Sequence, residues 1–304
     1  MRNSGSSGLL TISDRLVVVD TSLQTWEGSE EFTTASDFKL RAARNLAEAG
    51  VDIIEAGTPA TSASSFATVS MVAREICGPV VGGLTSCNRA AIELTAKALK
   101  AAPRRRIHVL LSMSSVLEAS NGSLERNLVG SLVEGIQLAR DLATDVEFSA
   151  ADVMGSDWAF LAQVFESALE AGASTLGILE PTGAIVPEEV SELVRYARRY
   201  VRGMHRARLS LRCGNQFGMA LANSLAAIIA GARQVVCTLA EPPGLAGSCS
   251  LKGLIAILET REAFFHVTTG LQQKNLLSIP SGLKHRVDSI EQYQGGFQPN
   301  GEAG

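Results

Sequence analysis

One rhythm runs through the chain to about position 264: a short β-branched run, a polar turn, then a helical segment. That alternation constrains the fold most. Strands separated by helices pair in parallel and need cover on both faces. The strand candidates are 16–20, 52–55, 79–84, 106–111, 145–149, 175–179, 208–212 and 234–238. Several are apolar on both faces, as buried parallel strands are. Segments such as 35–48, 123–142, 158–170, 187–200 and 217–230 carry a 3.6-residue apolar period. Gly50, Gly172 and Gly231 fall just past helical segments, where glycine supplies a left-handed cap. Val186-Pro187-Glu188-Glu189 reads as a helix start, with proline and acids in the first turn.

Eight such units over about 250 residues match an α/β fold of the (β/α)8 TIM-barrel type. A doubly wound open sheet is the alternative. The GxGxxG turn that would accompany it after the first strand is absent, as is a Walker A pattern. The expected organisation is a flexible leader over 1–14, a barrel over 15–268 and a short post-barrel segment over 269–304. The last contains one helix candidate near 271–277 and a tail expected to be disordered.

Composition narrows the function classes. The formal net charge is −4 and the pI about 5.7, which argues against a dedicated nucleic-acid binder. The dense basic run Arg104-Arg105-Arg106 leads straight into an apolar run and reads as a solvated strand entrance. No stretch of eighteen apolar residues exists, and the opening residues lack a signal-peptide core, so no membrane association is expected. The five cysteines are odd in number, scattered and free of CxxC pairs, which fits a reduced, cytoplasmic protein.

In a barrel, chemistry sits where strands end. The first strand offers Gln24, Thr25 and Glu27, the second Glu55, and the third Ser86 and Cys87. The fourth offers Ser112 and Ser114, the fifth Glu147 and Ser149, and the sixth Glu180. The seventh offers Arg212, Cys213, Asn215 and Gln216, and the eighth Thr238, Glu241, Ser248 and Cys249. Of the four histidines, only His108 lies in a strand, near its start. No HExxH or GxSxG pattern occurs, so neither a zinc-type site nor a nucleophile elbow is indicated.

Four stretches carry a family resemblance. VDIIEAGTP is similar to VDxIEAGFP, and RIHVLLSMS to RIHxFIATS. DVEFSAADVMGSD is similar to DVEFSAEDAxRSD, and NQFGMALANSLAAIIAGARQVVCT to NDxGxAVANSLAAVxAGAxQVxCT. Over roughly residues 15–265 the chain resembles the catalytic barrel of the isopropylmalate and homocitrate synthase family. The wider group includes hydroxymethylglutaryl-CoA lyase. The resemblance implies a divalent metal that holds a 2-oxo acid while acetyl-CoA is deprotonated and condensed onto it. It also implies a homodimer.

The functional positions depart from that pattern. The family's catalytic arginine falls on Gln24 and its metal-binding aspartate on Thr25. Its two metal-binding histidines fall on Arg212 and Gly214, and its fourth ligand on Ser248. The threonine that holds the oxo-acid carboxylate falls on Pro181, and the arginine after strand three on Ser86. Glu27, Glu55, Glu147 and Asn215 match. With its ligands replaced, the metal is not expected, and no cofactor is. The family reaction is expected to be lost, leaving a non-catalytic or small-acid-binding barrel that accompanies an active relative. The alternatives are an enzyme of altered, metal-independent chemistry on a carboxylate or acyl-CoA, or a still-active acyltransferase.

Glu147 and Glu27 are the catalytic candidates. Arg212, Gln24, Glu55, Asn215 and Glu180 are the substrate-binding candidates. Arg212 stands as a fixed cation, pairing with Glu147 or Glu180 or holding a carboxylate; otherwise it neutralises Glu27 or Glu55 and fills volume. Trp26, in place of a glycine, either fills the vacated pocket or packs the loop. Cys213 and Cys237 read as core thiols, with no histidine placed to activate them.

Overall fold

The computed structural model describes residues 15–26, 36–114, 122–239, 247–272 and 275. Eight parallel strands close into a barrel: β1 (Val17–Asp20), β2 (Ile53–Glu55), β3 (Val80–Ser86), β4 (Arg105–Ser112), β5 (Asp145–Ala151), β6 (Thr175–Glu180), β7 (Arg208–Cys213) and β8 (Gln234–Thr238). Each pairs with the next, and β1 pairs with β8, with Val17 opposite Gln234 and Asp20 opposite Cys237. The fold is therefore the closed TIM barrel and not the open sheet. A two-residue strand absent from the sequence reading, β9 (Cys249–Ser250), adds to the end of β8 through Cys237 and Thr238.

Helices between the strands include α1 (Ser22–Thr25), α2 (Ser36–Glu48), α3 (Ala63–Glu75), α4 (Arg89–Ala98), α5 (Gly122–Leu142), α6 (Trp158–Ala171), α7 (Pro187–Tyr200), α8 (Ala220–Ala230) and α9 (Leu251–Thr260). Local chemistry sets their ends. Ser62, Asn88 and Asp157 accept from backbone N–H groups in the first turns of α3, α4 and α6. The Glu189 carboxylate accepts from the Val186 N–H at 3.0 Å, as the proline-and-acid start of α7 suggests. Gly172 and Gly231 end α6 and α8 with φ of 114° and 110°, a conformation that penalises a Cβ. α8 starts later than its apolar period. Asn215 Oδ1 accepts from the Ala220 N–H, and Gly218 at φ 73° turns the chain between them.

Two apolar cores result. The larger fills the space between strands and helices, around Phe148, Phe165, Ile54 and Leu99. The smaller, Val17, Val19, Ile53, Val80 and Val236, lies inside the barrel on every second strand residue. Beyond the barrel, Thr268 O accepts from the Leu16 N–H and Ala49 O from the Gln272 N–H, so the chain returns beneath β1 and α2. The leader, most of the 271–277 helix candidate and the tail lie outside the described residues. No helix among the described residues is long and apolar enough to cross a membrane.

Candidate functional site

The same period-2 alternation that turns five valines and isoleucines inward turns a set of polar residues inward on the other side of the barrel. Arg106 and His108 alternate on β4, Glu147 and Ser149 on β5, and Ser210 and Arg212 on β7. Three of their bonds cross between strands that are not neighbours, β4 to β8, β5 to β8 and β4 to β2, which places them in the lumen.

The lower layer centres on Arg106, whose side chain is 3% exposed. Its Nη1 donates to Glu147 Oε2 at 2.5 Å and to Gln234 Oε1 at 2.9 Å, and its Nε lies 3.0 Å from Asp145 Oδ2. Gln234 Nε2 in turn donates to Glu147 and to Ser210, each at 2.8 Å. This corrects the placement of Glu147 at the mouth. It is the third residue of β5, and its Oε2 is already spoken for by Arg106 and Gln234. The basic run is corrected as well, because Arg106 is buried in the lumen while Arg104 stays outside.

The middle layer is a line of three. His108 Nδ1 lies 2.5 Å from Glu55 Oε2, and its Nε2 lies 2.7 Å from Ser149 Oγ. Burial pulls the His108 pKa down, but the Glu55 and Glu147 charges outweigh it and hold the pKa above its ordinary value. Burial pushes Glu55 up, yet His108 first, then Arg212 and Arg106, bring it below its ordinary value. The pair is therefore an imidazolium and a carboxylate. A charged His108 donates from both nitrogens, so it is a donor to Ser149 rather than a base for it. Sequence reasoning passed over His108 because it sits low in its strand. The signal that finds it is the i, i+2 spacing of Arg106 and His108 within an otherwise apolar run.

The upper layer is the mouth. Arg212 is half-buried; its Nε donates to Ser248 Oγ and its Nη1 to Gln24 Oε1, both at 3.3 Å. Nη1 stands 3.8 Å from Glu55 Oε1, which is buried and accepts no hydrogen bond. The structure thus brings together Arg212, Gln24, Glu55 and Ser248. It does not bring Arg212 to Glu147 or Glu180. Glu180 Oε1 accepts from the Thr182 N–H and hydroxyl and holds its own turn. Asn215 caps α8. Glu27, Glu241 and the Pro242-Pro243-Gly244 stretch lie outside the described residues. Asp152, which sequence reasoning missed, stands just past β5 in the left-handed region at φ 59°, with Ser112 Oγ donating to it at 2.5 Å. Trp26 is fully buried, its ring 5.4 Å from that of Phe38.

The residues at the family's metal positions do not suit a divalent cation. Thr25 Oγ1 donates to Thr21 O. The Arg212 guanidinium occupies the space between Gln24 and Ser248 and repels a dication. A Cβ at Gly214 would come within 2.4 Å of Pro181 O, so the backbone leaves no room there for a ligating side chain. Among the described residues, no three His, Cys, Asp or Glu side chains gather to hold a metal. Two thiols near the site are not poised as nucleophiles: burial pushes Cys213 up to about 12 and Cys87 up to about 11.

Comparison with known proteins gives a consistent result. The HMGL-like family matches residues 15–281. The 2-isopropylmalate synthase of Methylacidiphilum infernorum is 41% identical over 268 residues, 87% of this chain and 53% of that protein. The 2-isopropylmalate synthase of Pyrococcus furiosus is 34% identical over 278 residues, 91% of this chain and 56% of that protein. Among solved structures, the hydroxymethylglutaryl-CoA lyase of Pseudomonas aeruginosa superposes with a TM-score of 0.71 at 18% identity, covering 95% of this chain and 96% of that one. The chain spans about half the length of the curated relatives it matches.

Proposed function

The chain belongs to the HMGL-like family, with an isopropylmalate-synthase-like barrel, and from that premise we propose that it acts on a small carboxylate or acyl thioester through altered, metal-independent chemistry. One observation carries the reading: a guanidinium fixed at the mouth where the resemblance puts a metal ligand. Arg212 is held through Nε and Nη1, while Nη2 makes no hydrogen bond among the described residues. A carboxylate or developing oxyanion can take that edge in a charge-assisted contact. Gln24, held from behind by its Nε2 bond to Thr58 Oγ1, keeps the guanidinium aimed. Glu55, kept ionised by His108, offers its unbonded oxygen to a substrate hydroxyl or amide N–H. Its low pKa makes it an acceptor rather than a proton-abstracting base.

A non-catalytic small-acid binder is the second reading. It is favoured by the high thiol pKa values and by the absence, among the described residues, of a neutral histidine at the mouth. One experiment separates the two. The purified protein is incubated with acetyl-CoA and a panel of 2-oxo acids, with and without Mg²⁺, Mn²⁺ or Zn²⁺, and products are read by mass spectrometry. Product without added metal, lost in Arg212→Ala, supports the proposal. Metal-dependent condensation overturns it in favour of the family reaction. Acid binding with no mass change under any condition leaves the binder.

A further inference from the structure

The opposite end of the barrel holds a cavity. Its volume is about 900 Å³, and it lies at the N-terminal ends of the strands, away from the mouth. Arginines reach it from four strands: Arg15 before β1, Arg104 and Arg106 at β4, Arg206 and Arg208 at β7, and Arg233 before β8. The carboxylates lining it are Asp52 and Asp145. Asp52 pairs with Arg15 at 2.5 Å and Asp145 with Arg106 at 3.0 Å. Arg206 and Arg208 are exposed, and their side chains make no hydrogen bond or ion pair among the described residues. Arg104 is held at the rim by a 2.9 Å bond from its Nη1 to Gly78 O. The apolar part of the lining includes Val17, Ile53 and Val80, the lower edge of the inner core.

Among the described lining residues, six arginines stand with two aspartates, in a chain whose net charge is −4. Like charges gathered in a concave, partly apolar space repel one another and focus a positive field outward. An anion relieves that repulsion. Guanidinium groups favour planar, two-point contact with phosphate oxygens. A single inorganic phosphate would leave most of this volume empty, since sites for small organic ligands run from about 300 to 1,000 Å³.

We propose that this basal cavity binds a multiply charged organic phosphate of about the size of a nucleoside di- or triphosphate. Its phosphates lie against Arg104, Arg206 and Arg208, and its less polar body lies on Val17, Ile53 and Val80. The proposal is independent of the chemistry at the mouth, because none of these residues belongs to it.

The test is a calorimetric titration of the full chain with ATP, ADP and inorganic triphosphate at low and moderate salt. The expected result is saturable one-to-one binding of ATP that weakens as salt rises from roughly 50 to 200 mM. ATP should bind more tightly than inorganic triphosphate, and equal affinity overturns the role given to the apolar floor. Arg206→Glu with Arg208→Glu should weaken ATP binding at least about tenfold, and the milder Arg206→Gln with Arg208→Gln should do so by less. Both residues are exposed, and circular dichroism checks that the variants fold. Arg212→Ala should leave ATP affinity unchanged. No binding at about 1 mM ligand overturns the proposal. So does binding that survives both arginine pairs of substitutions but is lost in Arg212→Ala, which would place the phosphate at the mouth.

Discussion

Glu147→Gln separates a structural carboxylate from a catalytic one. Glu147 Oε2 and Arg106 Nη1 stand 2.5 Å apart, each side chain 3% exposed. At an effective dielectric of about 20, their Coulomb attraction is roughly 7 kcal/mol. Desolvation of the two ions offsets several kcal/mol of it, so the intact pair adds little net stability. Removing one partner is different, because the desolvation cost of the other remains. The loss is then about 3–5 kcal/mol. Asp145, 3.0 Å from Arg106 Nε, is a second counter-charge and keeps the cost at the lower end. For a chain of this length that corresponds to a fall in Tm of roughly 5–8 °C. The assay is thermal unfolding by circular dichroism beside the acid-binding titration. The Tm should fall while affinity for a 2-oxo acid, per folded molecule, stays within about twofold. In Arg106→Met with Glu147→Leu both charges are gone, and most of the lost stability should return. An unchanged Tm in Glu147→Gln, with turnover or acid binding abolished, would refute the reasoning and restore Glu147 to the site.

Other outcomes follow from the same geometry. Arg212→Lys should weaken small-acid binding about tenfold or more, since an ammonium cannot span Gln24 and Ser248 and still present a planar edge; equal affinity in a titration would mean that only charge matters. The His108–Glu55 pair should give a pH-dependent stability difference between the wild type and Glu55→Gln with His108→Gln. Glu55 is lowered from its ordinary 4.5, so its contribution is complete above that pH and fades as pH falls. His108 is raised from its ordinary 6.5, so its contribution is complete below that pH and fades as pH rises through the folded value. The Tm difference should therefore be flat between 4.5 and 6.5 and shrink on either side, and a difference that grows above pH 8 would contradict the ion pair. Gly177→Ala puts a Cβ 1.9 Å from Ser149 Oγ and should cost about 1–3 kcal/mol, read as a lower denaturant midpoint. Trp26→Ala empties a fully buried position and should cost about 3–5 kcal/mol in the same assay, against near-zero if the ring merely covers a loop.

Sequence pattern alone determined the barrel. The alternation of β-branched runs with 3.6-period segments gave the order of strands and helices, because a parallel strand must be apolar on both faces and a covering helix on one. Gly172 and Gly231 marked helix ends because only a residue without Cβ takes those φ values cheaply. The departures at Gln24, Thr25, Arg212, Gly214 and Ser248 were equally legible, being matters of residue identity. What the sequence left open is which lumen residues meet, since that depends on how far each strand is staggered as the sheet closes. Neighbouring register set Arg106 of β4 beside Glu147 of β5, and only closure brought Gln234 of β8 against both. Only closure set His108 between Glu55 and Ser149 and lifted Arg212 between Gln24 and Ser248. The same closure gathered arginines from β1, β4, β7 and β8 around one basal cavity, although they are more than two hundred residues apart along an acidic chain. Local pattern sets which face of a strand a side chain takes, and tertiary register alone sets which charge it finds there.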